Sequence, residues 1–469
     1  MDDKKFNRRD MLRVAAAGGA GLIAAGNTLP GFAQDKAPEL DLPTGTTGKL
    51  TVIHRTEYFP EAQDYFRASV VDFAKAKNVE LDISTTNPES FGDFIGKVTA
   101  AVKAGNPPDF AMHGNVSIPQ LHALDLVEDV TDVVEEAISK YGELMPGMAA
   151  HRNGLFDGKW KAIPYTGSSL GYYFRSDKLA EKGIDGDSLT TWDQRRDAAL
   201  AISDPANGFY GWGFTINKGG DGNDFCISVV NSFGGHYTDE SGTKVTLNSP
   251  ETVAAFEWLV ETYDRNGKYA AMIPPGVESW TDTGNNEAWA AGQIGHTLNA
   301  WSVYAASKKN SPDDLFKKIK MVNAPTFNNG ESRDGGGVGG WLTIFKGAPN
   351  VDLAKELALY LLNPDNFNKI STIAAGLFMP AYKNLWTPEL LAVDPNYAII
   401  QKQLSVETPH LFRTWPANPA PQIDAIRAQS VLENAVGNAV SGRMSAADAV
   451  ADAHAKIVEI FEEGGLPQG

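Results

Sequence analysis

The 469-residue chain contains a single cysteine, Cys226. One thiol excludes an internal disulfide and any cysteine-rich metal site, so stability has to come from core packing. No run of apolar residues approaches the ~20 that a membrane-spanning helix needs. Basic residues are also scarce relative to acidic ones, 41 against 58, which gives a formal net charge of −17. This balance disfavours nucleic acid and anionic membranes as main partners, because phosphate binding depends on clustered Lys and Arg.

The remaining composition is that of a folded protein with large cores. Hydrophobic residues make up 42% of the chain and charged residues 21%, which is too apolar for a disordered chain. At about 150 residues per domain the length predicts about three domains, and two larger ones fit equally well. Cys226 stands between Phe225 and Ile227, a context that favours a buried small side chain over a reactive thiol.

The N-terminus carries the pattern of an export signal. Arg8 and Arg9 precede a weakly apolar stretch at 14–25 that three glycines interrupt. Gly31 and Ala33 supply the small residues that a signal peptidase prefers. Adjacent arginines before a weakly apolar stretch resemble a twin-arginine signal, with an ordinary Sec signal as the alternative. Either signal predicts a protein that leaves the cytoplasm.

Processing of this signal predicts a mature protein located in the periplasm. We expect residues 1–33 to be removed as a twin-arginine-type export signal and 34–47 to form an N-terminal linker rich in Pro, Gly and Thr. No cysteine stands at the expected cleavage site, so the prediction excludes a lipid anchor there.

Strand and helix patterns alternate after this linker. Strands are predicted at 50–54, 79–84 and 109–112, and helices at 60–77 and 91–103. Short connections in this order predict parallel strands with right-handed crossovers. In such open sheets, ligands bind at the carboxyl ends of the strands. That rule indicates Arg55 and Glu57 after the first strand, and His113 and Asn115 after the third.

Six blocks of sequence together carry a resemblance to one protein family. The blocks are GNPPD at 105–109, GKWKAIPY at 158–165 followed by YYFRSDKL at 172–179, TTWD at 190–193, VTLNSPETV at 245–253, AGQIGHTLNAW at 291–301 and GRMSAADA at 442–449. They resemble segments of the extracellular solute-binding proteins (family 1) of ABC importers, a family that includes the maltodextrin-binding proteins. They occur in the family's order from about residue 48 to 460. The chain is therefore identified as a member of this family.

The resemblance implies an α/β protein with the two-lobed periplasmic-binding-protein fold. Each lobe would be a mostly parallel sheet flanked by helices, and hinge segments would cross near Pro164, Pro325 and Pro380. Lobe 1 would comprise 48–163 and 325–379, and lobe 2 would comprise 164–324 and 380–469. The implied function is capture of a carbohydrate (a mono- or oligosaccharide or a derivative) by hinge closure, and its delivery to a membrane permease.

Tryptophans are the expected partners of a sugar, because the face of an aromatic ring attracts polarised C–H groups. Trp301 matches the position whose aromatic side chain stacks on sugar in relatives, and a core role is its alternative. Trp280 lies in a polar loop, which favours ligand contact and core packing equally. Trp341 follows the glycine run at 335–340, where backbone can approach a ligand closely; a loop leading into a strand is the alternative. Trp415 matches another ligand-facing region of the family.

Polar and glycine residues complete the predicted site. Tyr165 and Thr166 lie at the first expected crossing, where relatives often place an acidic residue. Asp221, in a glycine-rich loop, could replace that acidic partner, although a solvated turn is the alternative reading. The predicted solute-binding residues are Arg55, Glu57, His113, Asn115, Tyr165, Thr166, Asp221, Trp280, Trp301, Gly340, Trp341 and Trp415.

Two other functions remain open at this stage. The same receptor could bind a polyol, a sugar acid or another small anion, with Arg55 or Arg413 as counter-charge. A secreted carbohydrate-active enzyme is more remote, because the sequence contains neither GxSxG nor HExxH and its eight histidines show no ligand spacing. We expect no catalytic residues, no metal and no cofactor. The expected partners are a small solute and the permease, without nucleic acid, and the receptor is expected to be a monomer.

Overall fold

The computed structural model describes residues 42–86, 91–114, 116–150, 154–310, 314–322, 324–326, 336–406, 414, 416–417 and 420–468. The predicted export signal at 1–33 and most of the linker lie outside these residues. None of the helices in the described ranges is both long enough and apolar enough to cross a membrane.

The chain divides into two compact units. The first comprises the chain through Gly167 together with Val338–Ala374 and Phe378–Gln401. The second comprises Ser168–Gly337, Ala375–Leu377 and Lys402–Gly469.

The first unit is an α/β structure whose strands come from distant parts of the sequence. Its strands are β1 (Lys49–Arg55), β2 (Glu80–Thr86), β3 (Phe110–His113), the short pair β4 (Leu155–Phe156) and β5 (Lys159–Trp160), the beginning of β6 (Ile163–Arg175), most of β9 (Gly336–Ile344) and β10 (Met379–Pro380). Its helices are α1 (Pro60–Lys77), α2 (Phe91–Ala104), α3 (Ile118–Ala123), α4 (Thr131–Tyr141), α5 (Pro146–Ala150), α12 (Val351–Leu362), α13 (Pro364–Ile373), α14 (Pro388–Val393) and most of α15 (Tyr397–Leu404). The strand order is β10-β6-β9-β3-β1-β2.

The βαβαβ start of this unit follows the predicted pattern. The five predicted elements are confirmed within two residues of their expected ends. Helix α1 begins at Pro60, whose missing N–H is tolerated in a first turn, and buries Phe66, Val70 and Phe73. It ends at Asn78, which adopts the left-handed conformation at φ 52°. Because β1 pairs in parallel with β2 and β3, their carboxyl ends share one edge.

The second unit contains β7 (His296–Ala300), β8 (Ile319–Val322) and the end of β6. Its helices are α6 (Ser176–Glu181), α7 (Trp192–Ile202), α8 (Gly220–Phe233), α9 (Pro250–Tyr263), α10 (Gly284–Ala290), α11 (Ser302–Asn310), α16 (Pro421–Ala428), α17 (Val431–Val440) and α18 (Ala446–Glu463). Strand β6 pairs with β7 and β8, antiparallel in both cases. Thr191 caps α7 in a capping box with Gln194.

The core of the second unit is rich in aromatic side chains. Trp192, Trp212 and Trp258 lie with ring centroids 5.9–6.2 Å apart. Cys226 of α8 is fully buried in this unit, which confirms the prediction of a buried thiol. The predicted α/β class is confirmed as well.

The division into units differs from the expected lobes at four places. The two short ones are residues 164–167, which fall in the first unit, and Ala375–Leu377, which fall in the second. Residues 380–401 belong to the first unit, because Met379 and Pro380 pair with the beginning of β6 and the N–H of Met145 donates to the carbonyl of Ala381. Of residues 325–337, expected in the first lobe, those that the structure describes (325, 326, 336 and 337) fall in the second unit.

Candidate functional site

A buried ion pair lies at the carboxyl end of β1 in the first unit. Arg55 donates from Nε to Oε1 of Glu57 at 2.8 Å, and the Glu57 side chain is 3% exposed. Burial raises the pKa of Glu57, and the Arg55 guanidinium opposes that shift. The guanidinium also lies over the ring of Phe378, 5.4 Å from its centroid. The pair therefore holds one guanidinium in a fixed place at this sheet edge.

Gly114, directly after β3, allows Arg55 to reach this place. A Cβ atom at Gly114 would lie 2.0 Å from Nη1 of Arg55 and 2.7 Å from the carbonyl oxygen of Gly339. Any larger residue would displace the guanidinium. The carboxyl ends of β1 and β3 are thus brought together as predicted.

His113 is buried and uncharged. Its Nε2 lies 3.0 Å from Oγ1 of Thr343 in β9. Burial, with a smaller contribution from Arg55, lowers the pKa of His113 to about 3. The imidazole is therefore neutral at physiological pH, and its contacts with Thr343 and the ring of Phe94 are those of a core side chain.

Tyr165, Thr166 and Gly340 lie close to this edge on β6 and β9. The Tyr165 ring packs edge-on against Phe367, with 5.4 Å between centroids. Burial raises the pKa of its hydroxyl, and the Glu57 carboxylate adds to the shift. A Cβ at Gly340 would lie 2.7 Å from Oγ1 of Thr166. Glycine is thus required here for the approach of two strands.

Trp341 packs in the core of the first unit. It is 4% exposed and belongs to an apolar cluster with Ile53, Phe94 and Leu121. Its ring also lies against Gly154, where a Cβ would come within 2.6 Å of Cζ3. The glycines before Trp341 form part of β9, so the loop expected there is a strand in the described residues.

A carboxylate–amide cluster forms in the second unit around Asp221. Oδ2 of Asp221 accepts from Nδ2 of Asn285 at 2.8 Å and from Nδ2 of Asn299 at 3.1 Å. Asn299 also donates to Oδ1 of Asn285 and of Asn286, and Ser302 donates to Oδ1 of Asn299. The four residues around Asp221 are buried. The cluster is a rigid array of hydrogen-bonding groups, the kind that recognises hydroxyls.

Asp282 joins this cluster at the start of α8. Its Oδ2 accepts from the backbone N–H of Gly220, and its Oδ1 accepts from the N–H of Asp221, both at 3.0 Å. The first amides of a helix have no partner within the helix. Asp282 therefore accepts the hydrogen bonds of these first amides and fixes Asp221 next to Asn285 and Asn299.

Trp280 lies half-buried beside Asp282. Its backbone carbonyl accepts from Oγ1 of Thr215 at 2.9 Å, and its ring packs against Gly284, where a Cβ would lie 3.0 Å from Cγ. These contacts hold a partly exposed aromatic side chain against Gly284, the residue that precedes Asn285 of the cluster. This combination suits a ligand with both hydroxyls and an apolar face.

Trp301 is 1% exposed in the second unit. Its Nε1 donates to Oγ of Ser169 at 2.9 Å, and its ring packs edge-on against Tyr304 at 5.2 Å. Core contacts therefore account for the whole indole, including its N–H.

Replacing Trp301 with Phe is expected to affect stability rather than affinity. The change removes the hydrogen bond to Ser169 and part of the buried volume, which together cost about 1–2 kcal/mol. Urea unfolding of the wild-type and variant proteins measures the loss in the free energy of unfolding. Calorimetric titration with a sugar that binds the wild-type protein measures affinity. A tenfold or larger rise in Kd at near-normal stability would instead show that the indole contacts the solute.

Two predicted residues, Asn115 and Trp415, lie outside the described residues. The prediction from sequence also missed Asp282, Asn285 and Asn299. The pair Asn285–Asn286 directly after the polar loop of Trp280 was a usable signal, since adjacent amides at a helix start seldom serve core packing. Among the described residues, no group of His, Cys, Asp and Glu is arranged to hold a metal ion.

Comparison with known proteins identifies the family. The family model for bacterial extracellular solute-binding proteins matches residues 68–398, more than half of the chain. The chain belongs to this family. The resemblance stated from the sequence is therefore confirmed, and the family and its structural neighbours are binding proteins rather than enzymes.

Individual relatives are distant. The maltotriose-binding protein of Pyrococcus abyssi is 21% identical over 217 residues, which cover 46% of this chain and 43% of that protein. The chain spans about half the length of the curated relatives it matches, 43% and 49%. The ligands for which these relatives are named are properties of those proteins.

Solved structures share the fold over most of the chain. Maltose-bound MalE3 of T. maritima superposes with a TM-score of 0.71 at 21% identity and covers 87% of this chain and 98% of that one. A solute-binding protein of Agrobacterium radiobacter K84 in complex with ribitol gives 0.71 at 19% identity, over 87% and 98%. At these identities the similarity establishes the fold alone.

Proposed function

We propose that this family member is the solute receptor of an ABC importer and that its solute is a carbohydrate, either a mono- or oligosaccharide or a derivative. The observation that carries the proposal is the cluster of Asp221, Asn285 and Asn299 beside Trp280. A carboxylate and amides accept and donate hydrogen bonds to hydroxyls, while the half-buried indole provides a face for C–H groups. The relatives named for maltotriose and maltose support the same class of solute, whereas the relative in complex with ribitol supports a polyol.

The first unit contributes the Arg55–Glu57 pair in this proposal. Its guanidinium has further N–H donors in a fixed position, because Glu57, Gly114 and Phe378 restrain it. Hinge closure on the solute, as the resemblance implies, belongs to the proposal. A solute stabilises the closed state only through its higher affinity for that state. Micromolar affinity requires about −8 kcal/mol in total, which a few such contacts can provide.

The cellular setting is also proposed. The twin arginines at 8–9 support export to the periplasm, without a lipid anchor, followed by interaction with the permease as a monomer. Within this proposal the receptor binds and releases its solute unchanged and has no catalytic activity. A polyol, a sugar acid or another small anion is the second candidate solute. For the sugar acid or other anion, Arg55 could serve as the counter-charge.

A thermal-shift panel of sugars, polyols and sugar acids tests the proposal on the purified chain from residue 34. Solute in large excess stabilises by RT ln(1 + [L]/Kd), about 4 kcal/mol at a thousandfold excess over Kd. We expect a saccharide to raise the unfolding midpoint and to be recovered unchanged by mass spectrometry. A shift with another solute class and with no saccharide would refute the carbohydrate assignment, and a reaction product would refute the absence of catalysis.

Replacing Asp221 with Asn tests the site itself. The amide turns one acceptor into a donor that faces Asn285 and Asn299, and it removes a charge from the hydrogen bonds to the solute. A hydrogen bond to a charged group contributes about 1.5–3 kcal/mol, so we expect Kd to rise at least tenfold in calorimetric titration. Asp187→Asn is the control, since Asp187 is an exposed partner of Lys320. Equal Kd for both variants would exclude Asp221 from the site.

A further inference from the structure

A carboxyl group without a hydrogen-bond partner is buried in the core of the second unit. Glu433 lies in the first turn of α17, and among the described residues neither of its carboxyl oxygens is paired. The hydroxyl of Tyr237 and the amide nitrogen of Asn223 share this property, and all three side chains belong to residues only 2–3% exposed. Unpaired polar groups are rare in protein interiors, and each one calls for an explanation. Three of them in one place indicate a role beyond packing.

These three side chains converge on one another from three segments of the chain. Burial raises the pKa of the Glu433 carboxyl and of the Tyr237 hydroxyl, and the Asn223 amide opposes the shift in each. The Asn223 amide therefore faces both groups, although none of these contacts is a well-aligned hydrogen bond within the described chain. A buried carboxyl group without a paired cation is compatible with its neutral form far more than with its charged form. The cluster thus has the chemistry of a proton-binding site.

The charges around Glu433 leave burial as the deciding influence on it. Helix α17 packs against α8, α9, α16 and α18. The groups that act electrostatically on Glu433, or on which it acts, are Asp224 and Cys226 of α8, Tyr237 after α8, and Arg427 of α16. In α9 and α18, both described in full, Tyr263 is the one buried side chain that can titrate. Arg427 favours the ionised form of Glu433 and Asp224 disfavours it, so their effects oppose each other.

Asn223 connects this buried cluster to the candidate solute site. It lies two residues after Asp221 in the first turn of α8, and Asp221 is the carboxylate of the amide cluster described above. Gly222, between the two, packs directly on other backbone, because a Cβ there would lie 2.0 Å from the carbonyl oxygen of Asn217. The segment 221–223 therefore has little room to move at one side chain without moving at the other. A shift of Asn223 toward an ionised Glu433 displaces Asp221.

We propose that Glu433 is a proton-binding site that couples solute capture to pH, so that the receptor holds its carbohydrate more tightly when this carboxyl group is protonated than when it is ionised. The inference rests on the proposed function, because it places the solute at the Asp221 cluster. Neutral Glu433 leaves Asn223 and the first turn of α8 in the arrangement described. Ionised Glu433 requires donors, and Asn223 and Tyr237 can supply them only by moving. Because coupling is reciprocal, solute binding also favours proton uptake by Glu433.

Calorimetric titration from pH 6 to pH 8 tests the coupling on the chain from residue 34. The probes are maltose, maltotriose and D-glucose, together with the strongest saccharide of the thermal-shift panel where it differs. The pKa of Glu433 is about 7, so an about fivefold coupling, at the low end of the usual range, raises Kd about threefold over this range. A Kd that does not change with pH overturns the inference and leaves the receptor function standing. Failure of every carbohydrate to bind overturns both.

Glu433→Gln removes the titration and keeps the shape of the neutral side chain. We expect its Kd to match that of the wild type at pH 6 and to stay constant up to pH 8. Glu257→Gln removes an exposed carboxyl group from α9 and should keep the rise of the wild type. A merely structural role of Glu433 would change the free energy of unfolding without changing how Kd depends on pH. The same rise in Glu433→Gln as in the wild type therefore overturns the inference.

Proton uptake provides a readout that needs no variant. Titration at pH 7 in phosphate and in Tris, two buffers with different ionisation enthalpies, gives the number of protons taken up with each solute molecule. The same coupling predicts about 0.3 proton for the wild type and none for Glu433→Gln. If Glu433→Gln does not fold, the wild-type measurement alone carries the test. Absence of uptake by the wild type overturns the inference.

Discussion

Replacing Asp109 with Ala is expected to destabilise the first unit by about 3–5 kcal/mol, because it strips several buried donors of their acceptor. Asp109 is fully buried at the start of β3. Its Oδ2 accepts from the backbone N–H and the hydroxyl of Thr51 in β1, at 2.8 and 2.7 Å. Its Oδ1 accepts from the backbone N–H of Asn350 at 2.9 Å, just before α12. One side chain thus joins two strands and a helix.

Urea unfolding followed by circular dichroism measures this effect. Each buried donor left without a partner costs about 1–3 kcal/mol. The Thr51 groups are fully buried and cannot reach water without local opening, whereas Asn350 is half-buried. Asp82→Ala is the matched control, since Asp82 forms an exposed pair with Lys49 on the same sheet, and exposed pairs contribute about 0–1 kcal/mol. A loss of less than 1 kcal/mol for Asp109→Ala would mean that the network carries little stability.

Replacing Glu433 with Gln is expected to stabilise the second unit at pH 8 by about 2–3 kcal/mol and to change little at pH 5. Glu433, on α17, is 3% exposed, and within the described chain neither carboxyl oxygen has a hydrogen-bond partner. Burial raises the pKa of Glu433 to about 7, and Asn223 and Arg427 oppose the shift only in part. The ionised form is therefore costly in the folded protein.

The direction of the pH dependence follows from proton uptake. Between the ordinary carboxyl pKa and about 7, folded protein holds a proton that the unfolded chain releases, so stability falls as pH rises through this window. A shift of one pKa unit corresponds to about 1.4 kcal/mol, and Gln stays neutral throughout. Buried His54 and His113 have lowered pKa values and add a pH dependence of the opposite sign, because their contribution to the free energy of unfolding is lost as pH falls. Both proteins share it, so it cancels in the comparison.

Urea unfolding at pH 5, 6, 7 and 8 gives the comparison directly. The difference between Glu433→Gln and wild type should grow from pH 5 to pH 7 and change little from pH 7 to 8, because the carboxyl ionises near its ordinary pKa in the unfolded chain and near 7 in the folded protein. Glu257→Gln is the control, because Glu257 is exposed on α9 and should give a difference independent of pH. A constant difference for Glu433→Gln would show that the carboxyl is already ionised at pH 5 in the folded protein, and a difference that still grows from pH 7 to 8 would show that it stays protonated above pH 7.

Local patterns predicted the beginning of the fold well. Helical spacing of Phe66, Val70 and Phe73, and the short apolar runs of β1 and β3, are properties of neighbouring residues, so periodicity finds them. The edge formed by Arg55 and His113 follows from parallel pairing alone. The assignment of residues 380–401 to the first unit could not be predicted from local patterns, because it depends on pairing with β6, more than 200 residues away.

The candidate site was predicted less well, for physical reasons. Asp221 was chosen from its glycine-rich context, but its partners Asn285 and Asn299 are 64 and 78 positions away. For Trp301 and Trp341, the residue type alone could not show whether the indole points to a solute or into the core. Their burial depends on Ser169 and Gly154, which carry no recognisable pattern.

The single cysteine provides a native probe of local opening in this protein, because its rate of thiol labelling can be measured. Cys226 lies in α8, beyond Gly220 and Asp221, whose N–H groups donate to Asp282, and it is fully buried. Burial raises the pKa of its thiol, so a thiol reagent has to wait until the helix or its cover opens. The rate of labelling therefore reports the frequency of local opening of the second unit around α8. Solute that binds the Asp221 cluster should slow that rate in proportion to its occupancy, in the native sequence and without an engineered probe.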